Sequence, residues 1–495
     1  MKTVIKSLVV TATILLAGCE KYLDKPPIGI LTEKQIQDDP TVGTLTGGVT
    51  NAYVPLASTL NLFGDWNWQQ GLVLRNDFIV EDIASGDVNK KWNPDGDQAW
   101  MDDVAAFNFT SENGAFNGLW TYDYEGISRA NLSISQLAND AILQQTGIAR
   151  ELADRLLGEA YFLRAFYYFN LVGHFGDVPL LLKPLASFQE AYEVARRAPA
   201  AEVWAQIDAD LSAAVGLLPA VKYTANDERW RASHGAALAM QAKSALYQKR
   251  WQEVVDKVGA LETLGFYTLN AHYFDAFDTS KEFNENEVIF AYDHRTAVQP
   301  RRGNGLTALL GWGFVAPSND FLAAFEANDP RRDYTVNTAD QAVYKLLGGT
   351  NTDNKGNDDS PVNKIYIRWA DVLLWKAEAY NELNNQAQAI ALINQVRQRA
   401  RTTAPLGGGS LPIGTLPARD AAASDKAQVQ QWLDHERRVE LGFESHRFSD
   451  LRRWGTAKTV LTAMGKNFQD RHYLYPIPQG EVDKSAGTIT QNQGY

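Results

Sequence analysis

Residues 155–169 read RLLGEAYFLRAFYYF, and this stretch decides the fold. Apolar residues recur there at steps of three and four, in a series that runs from Leu152 to Leu171. That spacing is the period of an amphipathic helix. The helix is predicted to end near Gly173–Gly176, and Pro179 supports a break there.

The same helical periodicity covers most of the later chain, largely as two helices joined by a short turn. The predicted helical ranges are about 151–175, 201–264, 371–401 and 426–455. Leu157-Gly158-x-x-Tyr161 matches the start of the tetratricopeptide pattern, but comparable tyrosines recur at irregular intervals. We therefore predict an all-α fold of degenerate tetratricopeptide-type helix pairs with few short strands. Unrelated helix hairpins are the alternative.

Long irregular stretches separate these helices. Residues 61–120 and 270–365 are rich in Gly, Asn, Asp and aromatic residues, and 402–418 forms a further loop. Loops of this length in a compact protein usually carry function. Ligand-binding residues are therefore expected in these two loop-rich regions.

The composition excludes several functional classes. The 495 residues carry 47 Lys+Arg against 59 Asp+Glu, a formal charge of −12, which argues against nucleic acid as the main partner. Hydrophobic residues make up 45% and charged residues 21%, as in ordinary globular proteins. One cysteine excludes an internal disulfide framework and a cysteine-based zinc site.

The only cysteine lies at the end of a predicted export signal. Lys2 and Lys6 precede an apolar stretch, Leu8 to Ala17, that is too short to span a bilayer and fits a signal peptide. The ending Leu16-Ala17-Gly18-Cys19 resembles a bacterial lipobox, which implies cleavage before Cys19 and its acylation. A general secretory signal with an incidental cysteine is the alternative. We expect a signal peptide at 1–18, a tether at 19–30 and a single domain at 31–495.

Four further segments, together with the lipobox, resemble the SusD/RagB family of outer-membrane lipoproteins. They are Arg155–Phe169 with Phe175–Leu180, Ile367–Leu383 with Ile393–Ala400, Glu436–Gly455, and Tyr473–Pro478 with Gln491–Tyr495. Their order agrees with the family, and the match runs from residue 19 to the last residue. Ser445 and Gln493 depart from the more usual Gly and Pro, which are local changes.

The resemblance implies a SusD-like fold and a lipid-anchored protein of the outer membrane, facing outward. It implies a cell-surface binder that captures an oligosaccharide and passes it to a TonB-dependent transporter of the SusC type. It implies no catalysis and no cofactor. A peptide- or protein-binding tetratricopeptide lipoprotein, like RagB in peptide uptake, is the alternative. A glycosidase is disfavoured, although carboxylate pairs are plentiful in any acidic chain.

No catalytic or metal-binding motif stands out. The sequence lacks a His-Glu-x-x-His, a Gly-x-Ser-x-Gly and a phosphate-binding loop. Residues 351–359 partly resemble a calcium loop, but an ordinary Asn/Asp/Gly turn is favoured and no metal site is predicted. Glu436, Glu440 and Glu444 are four residues apart, so we expect one ion-paired helix face with local pairs such as Glu444–Arg447.

The thirteen tryptophans divide into two groups. Eight have helical spacing and are assigned to packing: Trp120, Trp204, Trp230, Trp251, Trp369, Trp375, Trp432 and Trp454. Five fall in predicted loops: Trp66, Trp68, Trp92, Trp100 and Trp312.

The loop tryptophans indicate a sugar site, because C–H faces of sugars stack on indoles while sugar hydroxyls need polar partners. By resemblance of position to the aromatic arc of SusD-like proteins, the aromatic candidates are Trp92, Tyr292 and Trp312. The polar candidates are Arg75, Asn93 and Asp95. The remaining loop aromatics, Trp66, Trp68 and Trp100, are secondary candidates.

Overall fold

The computed structural model describes residues 39–495 apart from 64–65, 94, 186, 226, 299–302 and 424. The predicted signal peptide, the lipidation residue Cys19 and the tether lie outside the described residues. Helices dominate the described part and carry most of the core. Among these helices, none combines the length and the apolar character that crossing a bilayer requires.

The helices of the described residues are, in chain order, α1 (Val42–Tyr53), α2 (Ala99–Ala106), α3 (Gly114–Leu137), α4 (Asp140–Thr146), α5 (Arg150–Phe175), α6 (Phe188–Val194), α7 (Ala200–Leu217), α8 (His234–Tyr247), α9 (Trp251–Thr263), α10 (Gly305–Gly311), α11 (Asn319–Ala324), α12 (Arg331–Thr335), α13 (Tyr344–Leu347), α14 (Trp369–Glu382), α15 (Gln386–Thr402), α16 (Lys426–Glu440), α17 (Arg447–Arg453), α18 (Ala457–Ala463) and α19 (Gln479–Lys484). Short π or 3₁₀ turns lie at Val54–Leu56, Ile79–Ile83, Tyr273–Ala276, Thr279–Lys281, Ala421–Ala423 and Asp470–Tyr473.

The strands of the described residues are short and form antiparallel pairs. They are β1 (Val88–Asn89) with β5 (Ala316–Pro317), β2 (Val178–Pro179) with β3 (Arg197–Ala198), β4 (Val288–Tyr292) with β8 (Lys364–Arg368), and β6 (Val336–Asn337) with β7 (Ala342–Val343). The architecture is therefore all-α with few short strands, as predicted.

Successive helix pairs build the scaffold. Helix α5 packs against α3 and α7, α7 packs against α8, and α8 pairs with α9. The series continues through α14, α15 and α16, each of which contacts the others. Because each pair buries its apolar face against the next, the core is continuous along this series.

Turn and cap residues end the scaffold helices close to the predicted places. Gly176 follows α5 with φ +73°, a conformation that favours glycine. The turn at Lys249-Arg250 separates α8 from α9, and the turn at Asn384-Asn385 separates α14 from α15. The Asp425 side chain caps α16 by accepting a hydrogen bond from the backbone N–H of Gln428 at 2.8 Å.

The predicted loop regions are less irregular than expected. Residues 61–120 contain α2 and the start of α3, and residues 270–365 contain α10 to α13 with several short strands. Because these regions are rich in Gly and aromatic residues, their short helices were not predicted from the sequence. Trp66, Trp68 and Trp312 nevertheless lie outside regular helices and strands.

Candidate functional site

The candidate site forms where two loop regions dock on each other. The backbone N–H of Gly305 donates to the carbonyl of Ser58 at 3.0 Å, and the Thr59 hydroxyl donates to the carbonyl of Gly303 at 3.0 Å. Asn304 caps α10 with its side-chain oxygen, 3.0 Å from the N–H of Leu306. These contacts bring the loop after Ser58 beside the start of α10.

Close backbone contacts hold the first loop in place. Gly71 has φ +68°, and a Cβ on it would lie 1.8 Å from the carbonyl oxygen of Gly114 at the start of α3. The Asn76 side-chain amide donates to the carbonyl of Gly71 at 2.9 Å. The loop therefore lies directly against α3.

Three tryptophans meet at this junction and form an open aromatic surface, the tryptophan platform (Trp66, Trp68 and Trp312). Their ring centroids are 6.2 Å apart for Trp66–Trp68, 5.9 Å for Trp66–Trp312 and 6.2 Å for Trp68–Trp312. Trp66 is 51% exposed and Trp312 is 40% exposed, which is unusual for indoles in a folded protein. Trp68 is half-buried and packs on Phe314 at 5.7 Å.

The loop around residues 351–359 supports the platform from the side of α10. The N–H of Gly356 donates to the carbonyl of Thr307 at 2.9 Å, and the Thr307 hydroxyl donates to the carbonyl of Asn357 at 2.7 Å. Asn351 and Asn357 accept from backbone N–H groups two residues ahead, which is the geometry of Asx turns. In the described ranges, no group of three or more His, Cys, Asp or Glu side chains is arranged to hold a metal ion.

A third loop reaches the platform through the β1–β5 pair. Its Lys91 ammonium lies 4.4 Å from the ring centroid of Phe314 and 2.5 Å from a carboxylate oxygen of Asp95. The hydrogen bond from Lys91 lowers the pKa of Asp95, so this carboxylate is a charged acceptor at neutral pH. Asn93 and Asp95 are exposed, and both lie in the loop that Lys91 ties to the platform.

The other predicted aromatics take different places. Trp92 is half-buried and packs against the core, while Trp100 belongs to α2 and not to a loop. The Trp100 indole N–H donates to the side-chain oxygen of Gln98 at 2.9 Å. The most exposed tryptophans are Trp66 and Trp312. Trp66, predicted only as a secondary candidate, is therefore one of the two main candidates for ligand contact.

Arg75 and Tyr292 lie in the interior. Arg75 is 1% exposed, and its guanidinium pairs with Asp123 at 2.9 Å and with Asp77 at 3.2 Å. Tyr292 is 2% exposed at the end of β4. This burial does not fit the expectation that either residue contacts a ligand. The run Arg75-Asn76-Asp77 resembled a polar loop, but all three residues are buried just before the π turn at Ile79.

The C-terminal glutamates are buried and do not line one exposed helix face. Helix α16 ends at Glu440, so Glu444 lies beyond it, contrary to the prediction. Gly442 lies at the bend, where a Cβ would approach the Phe321 ring to 2.4 Å. The predicted Glu444–Arg447 pair is also wrong, because Arg447 pairs with Asp434.

Glu444 and Glu440 instead join a buried charge network centred on Arg368. The Nε and Nη2 atoms of Arg368 lie 2.6 and 2.8 Å from the two carboxylate oxygens of Glu444. Its Nη1 atom lies 2.7 Å from Glu440 and 2.7 Å from Glu287. The other charged members of the buried charge network are Asp329, Arg331, Lys345, Arg397, Arg399 and Glu436.

The buried charge network is internally neutralised. Burial alone would raise the pKa of Glu440, but Arg399, Arg368 and other cations hold that pKa well below its usual range. Burial would likewise raise the pKa of Glu444, but Arg368 and Lys345 lower it to about 2. These carboxylates are therefore ionised at neutral pH and form ion pairs in the interior.

A series of helix pairs carrying an open aromatic surface on its loops defines a helical binding protein, and comparison with known proteins gives its family. A family model described as "SusD family" matches residues 326–495, and one described as "Starch-binding associating with outer membrane" matches residues 76–246. The two matches together cover more than half of the chain, which therefore belongs to the SusD/RagB family.

Relatives and solved structures are similar to this protein over nearly the whole chain. SusD-like protein P2 of Formosa agariphila is 26% identical, over 97% of both chains. Surface glycan-binding protein A from Bacteroides fluxus is 25% identical with a TM-score of 0.75, covering 92% of this chain and 100% of that one. The Bacteroides thetaiotaomicron protein of that name, solved in complex with laminarihexaose, is 20% identical with a TM-score of 0.72, covering 91% and 99%. The last likeness bears on the fold alone.

Proposed function

We propose that this protein is a cell-surface binder that holds an oligosaccharide on the tryptophan platform. The observation that carries the proposal is the cluster of three indoles at the junction of two loops, of which Trp66 is 51% and Trp312 is 40% exposed. An exposed aromatic cluster on a soluble surface generally marks a binding site. A solved protein that is 25% identical to this chain is named as a surface glycan-binding protein.

The chemistry of the platform suits a sugar chain. Indole faces accept the C–H faces of successive sugar rings, and three centroids about 6 Å apart offer more than one such face. Asn93 and Asp95 supply an amide and an ionised carboxylate for hydroxyl groups at the neighbouring loop. Both are exposed, so a ligand can reach them without opening the protein.

We infer that the bound oligosaccharide is a nutrient passed intact to a TonB-dependent transporter of the SusC type. The family description "associating with outer membrane" supports the membrane location, and the lipobox supports an anchor at Cys19 on the outer face. Two or more acyl chains at one cysteine give stable attachment. In this proposal the protein binds and does not hydrolyse its ligand.

Calorimetry with the soluble form lacking residues 1–19 tests the proposal. The probes are laminarihexaose and the hexasaccharides of α-1,4-glucose, β-1,4-glucose and β-1,4-xylose. We expect at least one to bind, Trp66→Ala and Trp312→Ala to weaken it, and the recovered sugar to be intact. Ile413→Ala is the control, since it removes a fully exposed apolar side chain from the loop 402–418.

Two results would count against the platform. One is the absence of binding across the panel, and the other is unchanged affinity in both tryptophan variants. Binding of a mixed peptide pool, without binding of any sugar, would favour the peptide-uptake alternative. Shorter products after long incubation, lost on replacing one carboxylate, would favour a glycosidase.

A further inference from the structure

A cavity lies among the helix pairs, built from elements that contribute nothing to the tryptophan platform. Its volume is about 350 Å³, within the range of small-ligand sites. The turn between α8 and α9, helix α14, helix α16 and the end of α17 enclose it. We name it the helix-pair pocket, and its principal lining residues are Trp251, Glu378, Gln430, Gln431, Asp434 and Trp454.

One indole of the helix-pair pocket is fixed on two sides. The Trp454 N–H donates to the Oε1 atom of Glu378 at 2.9 Å, and the guanidinium carbon of Arg453 lies 4.8 Å from the Trp454 ring centroid. Trp251, the first residue of α9, supplies a second indole from a different element. A pocket with two tryptophans and several amide and carboxylate groups has the composition of a sugar subsite.

Two polar groups in the helix-pair pocket lack partners. Glu378 is 1% exposed, and within the described part of the chain its Oε2 atom has no hydrogen-bond partner. The side-chain Nε2 of Gln430 is likewise without a partner among the described residues. Buried polar groups are normally paired, because each unpaired one costs free energy.

The unpaired acceptor of Glu378 and the unpaired donor of Gln430 favour a ligand that can both donate and accept a hydrogen bond. A hydroxyl group can donate to a carboxylate oxygen and accept from an amide, so it satisfies both groups. An ammonium ion donates only and would leave Gln430 unpaired. Arg453 already pairs with Glu378 and offsets its charge, which favours a neutral ligand over a cation.

We propose that the helix-pair pocket is a second carbohydrate site that takes one neutral sugar unit. Trp251 and Trp454 contact the ring, and Glu378 and Gln430 bind its hydroxyl groups. Together with the tryptophan platform, this pocket gives the protein two contacts with one polymer or with neighbouring chains. Two linked contacts raise the avidity for a polysaccharide above that for a short oligosaccharide.

A platform-deficient variant, Trp66→Ala with Trp312→Ala, isolates the helix-pair pocket. Binding of the same hexasaccharide panel is followed by calorimetry and by indole fluorescence at millimolar sugar. We expect weak saturable binding that Gln430→Ala lowers about three- to tenfold, the effect of one hydrogen bond. Trp251→Ala should lower it further. Gln252→Ala is the control, because Gln252 is exposed beside Trp251 and does not line the pocket.

The outcomes separate the two sites. Loss of all binding in the platform-deficient variant, while the intact protein binds, would overturn the second site. So would residual binding that neither Gln430→Ala nor Trp251→Ala changes, or binding of a mixed peptide pool in place of sugars. If platform variants bind like the intact protein and pocket variants do not, the pocket stands and the platform assignment fails.

Discussion

Replacing Arg368 with methionine tests whether the buried charge network stabilises the fold. Arg368 is 1% exposed and contacts carboxylates of Glu444, Glu440 and Glu287 within 2.8 Å. Methionine keeps much of the length and volume but removes the charge and every hydrogen bond. The three glutamates would then share fewer buried cations.

The expected cost is large because the remaining charges stay buried. Removing one partner of a buried ion pair generally costs about 3–5 kcal/mol, since an uncompensated charge is left in the interior. Arg447→Met is the matched control: Arg447 pairs with Asp434, whose side chain is 36% exposed. A pair with that much solvent contact is worth about 1 kcal/mol or less.

Urea unfolding followed by tryptophan fluorescence at several pH values measures both variants. The pKa of Glu444 is lowered to about 2 from an ordinary 4.5, so its ion pairs stabilise the native protein fully above about pH 4.5. That contribution, about 3 kcal/mol from the size of the shift, is lost as the pH falls from about 4.5 to 2. The stability gap between wild type and Arg368→Met should therefore narrow over this range. Equal costs for Arg368→Met and Arg447→Met, or a gap that does not change with pH, would refute the reasoning.

Further predictions concern the platform and the anchor. Trp66→Ala should weaken sugar binding about tenfold, because a ligand covering about 50 Å² of this half-exposed indole contributes about 1.3 kcal/mol; unchanged calorimetric affinity would contradict this. Gly71→Ala should destabilise the protein by more than about 1 kcal/mol and reduce sugar affinity, since its Cβ would strike Gly114. Gly147→Ala shares a positive φ but meets nothing within 4 Å, so equal thermal-shift and affinity losses in both variants would contradict the explanation. Cys19→Ser should abolish labelling by a fatty-acid analogue and release the protein from membranes; retained labelling would exclude the lipobox.

The helix positions could be predicted from the sequence because the spacing of apolar residues is a local property of each segment. The helix predicted at about 151–175 lies at Arg150–Phe175, and the range predicted at about 371–401 is occupied by the pair α14 and α15. Helix α3 was largely missed. Its first residues, Gly114 to Gly118, include two glycines, and their composition resembles a loop.

The candidate site was less predictable because it depends on contacts between distant segments. Trp66 and Trp312 meet only after Gly305 docks on Ser58, a contact that no local pattern indicates. The sequence around Arg75 resembles a polar loop, as expected for a ligand-binding arginine. Asp123, 48 residues away, nevertheless pairs with Arg75 in the interior. Composition can identify loop aromatics, but only tertiary structure separates exposed from buried ones.

One chain segment joins the buried charge network to the tryptophan platform, so under the proposed function the network acts indirectly on binding. Arg368, the centre of the buried charge network, is the last residue of β8. The loop 351–359 leads into this strand, and its Gly356 packs on α10 immediately before Trp312. Fixing β8 therefore fixes one end of the segment that supports Trp312. Under the proposed function, the residues of the family motifs hold the fold, while the loop residues of the platform, which carry no family motif, contact the ligand.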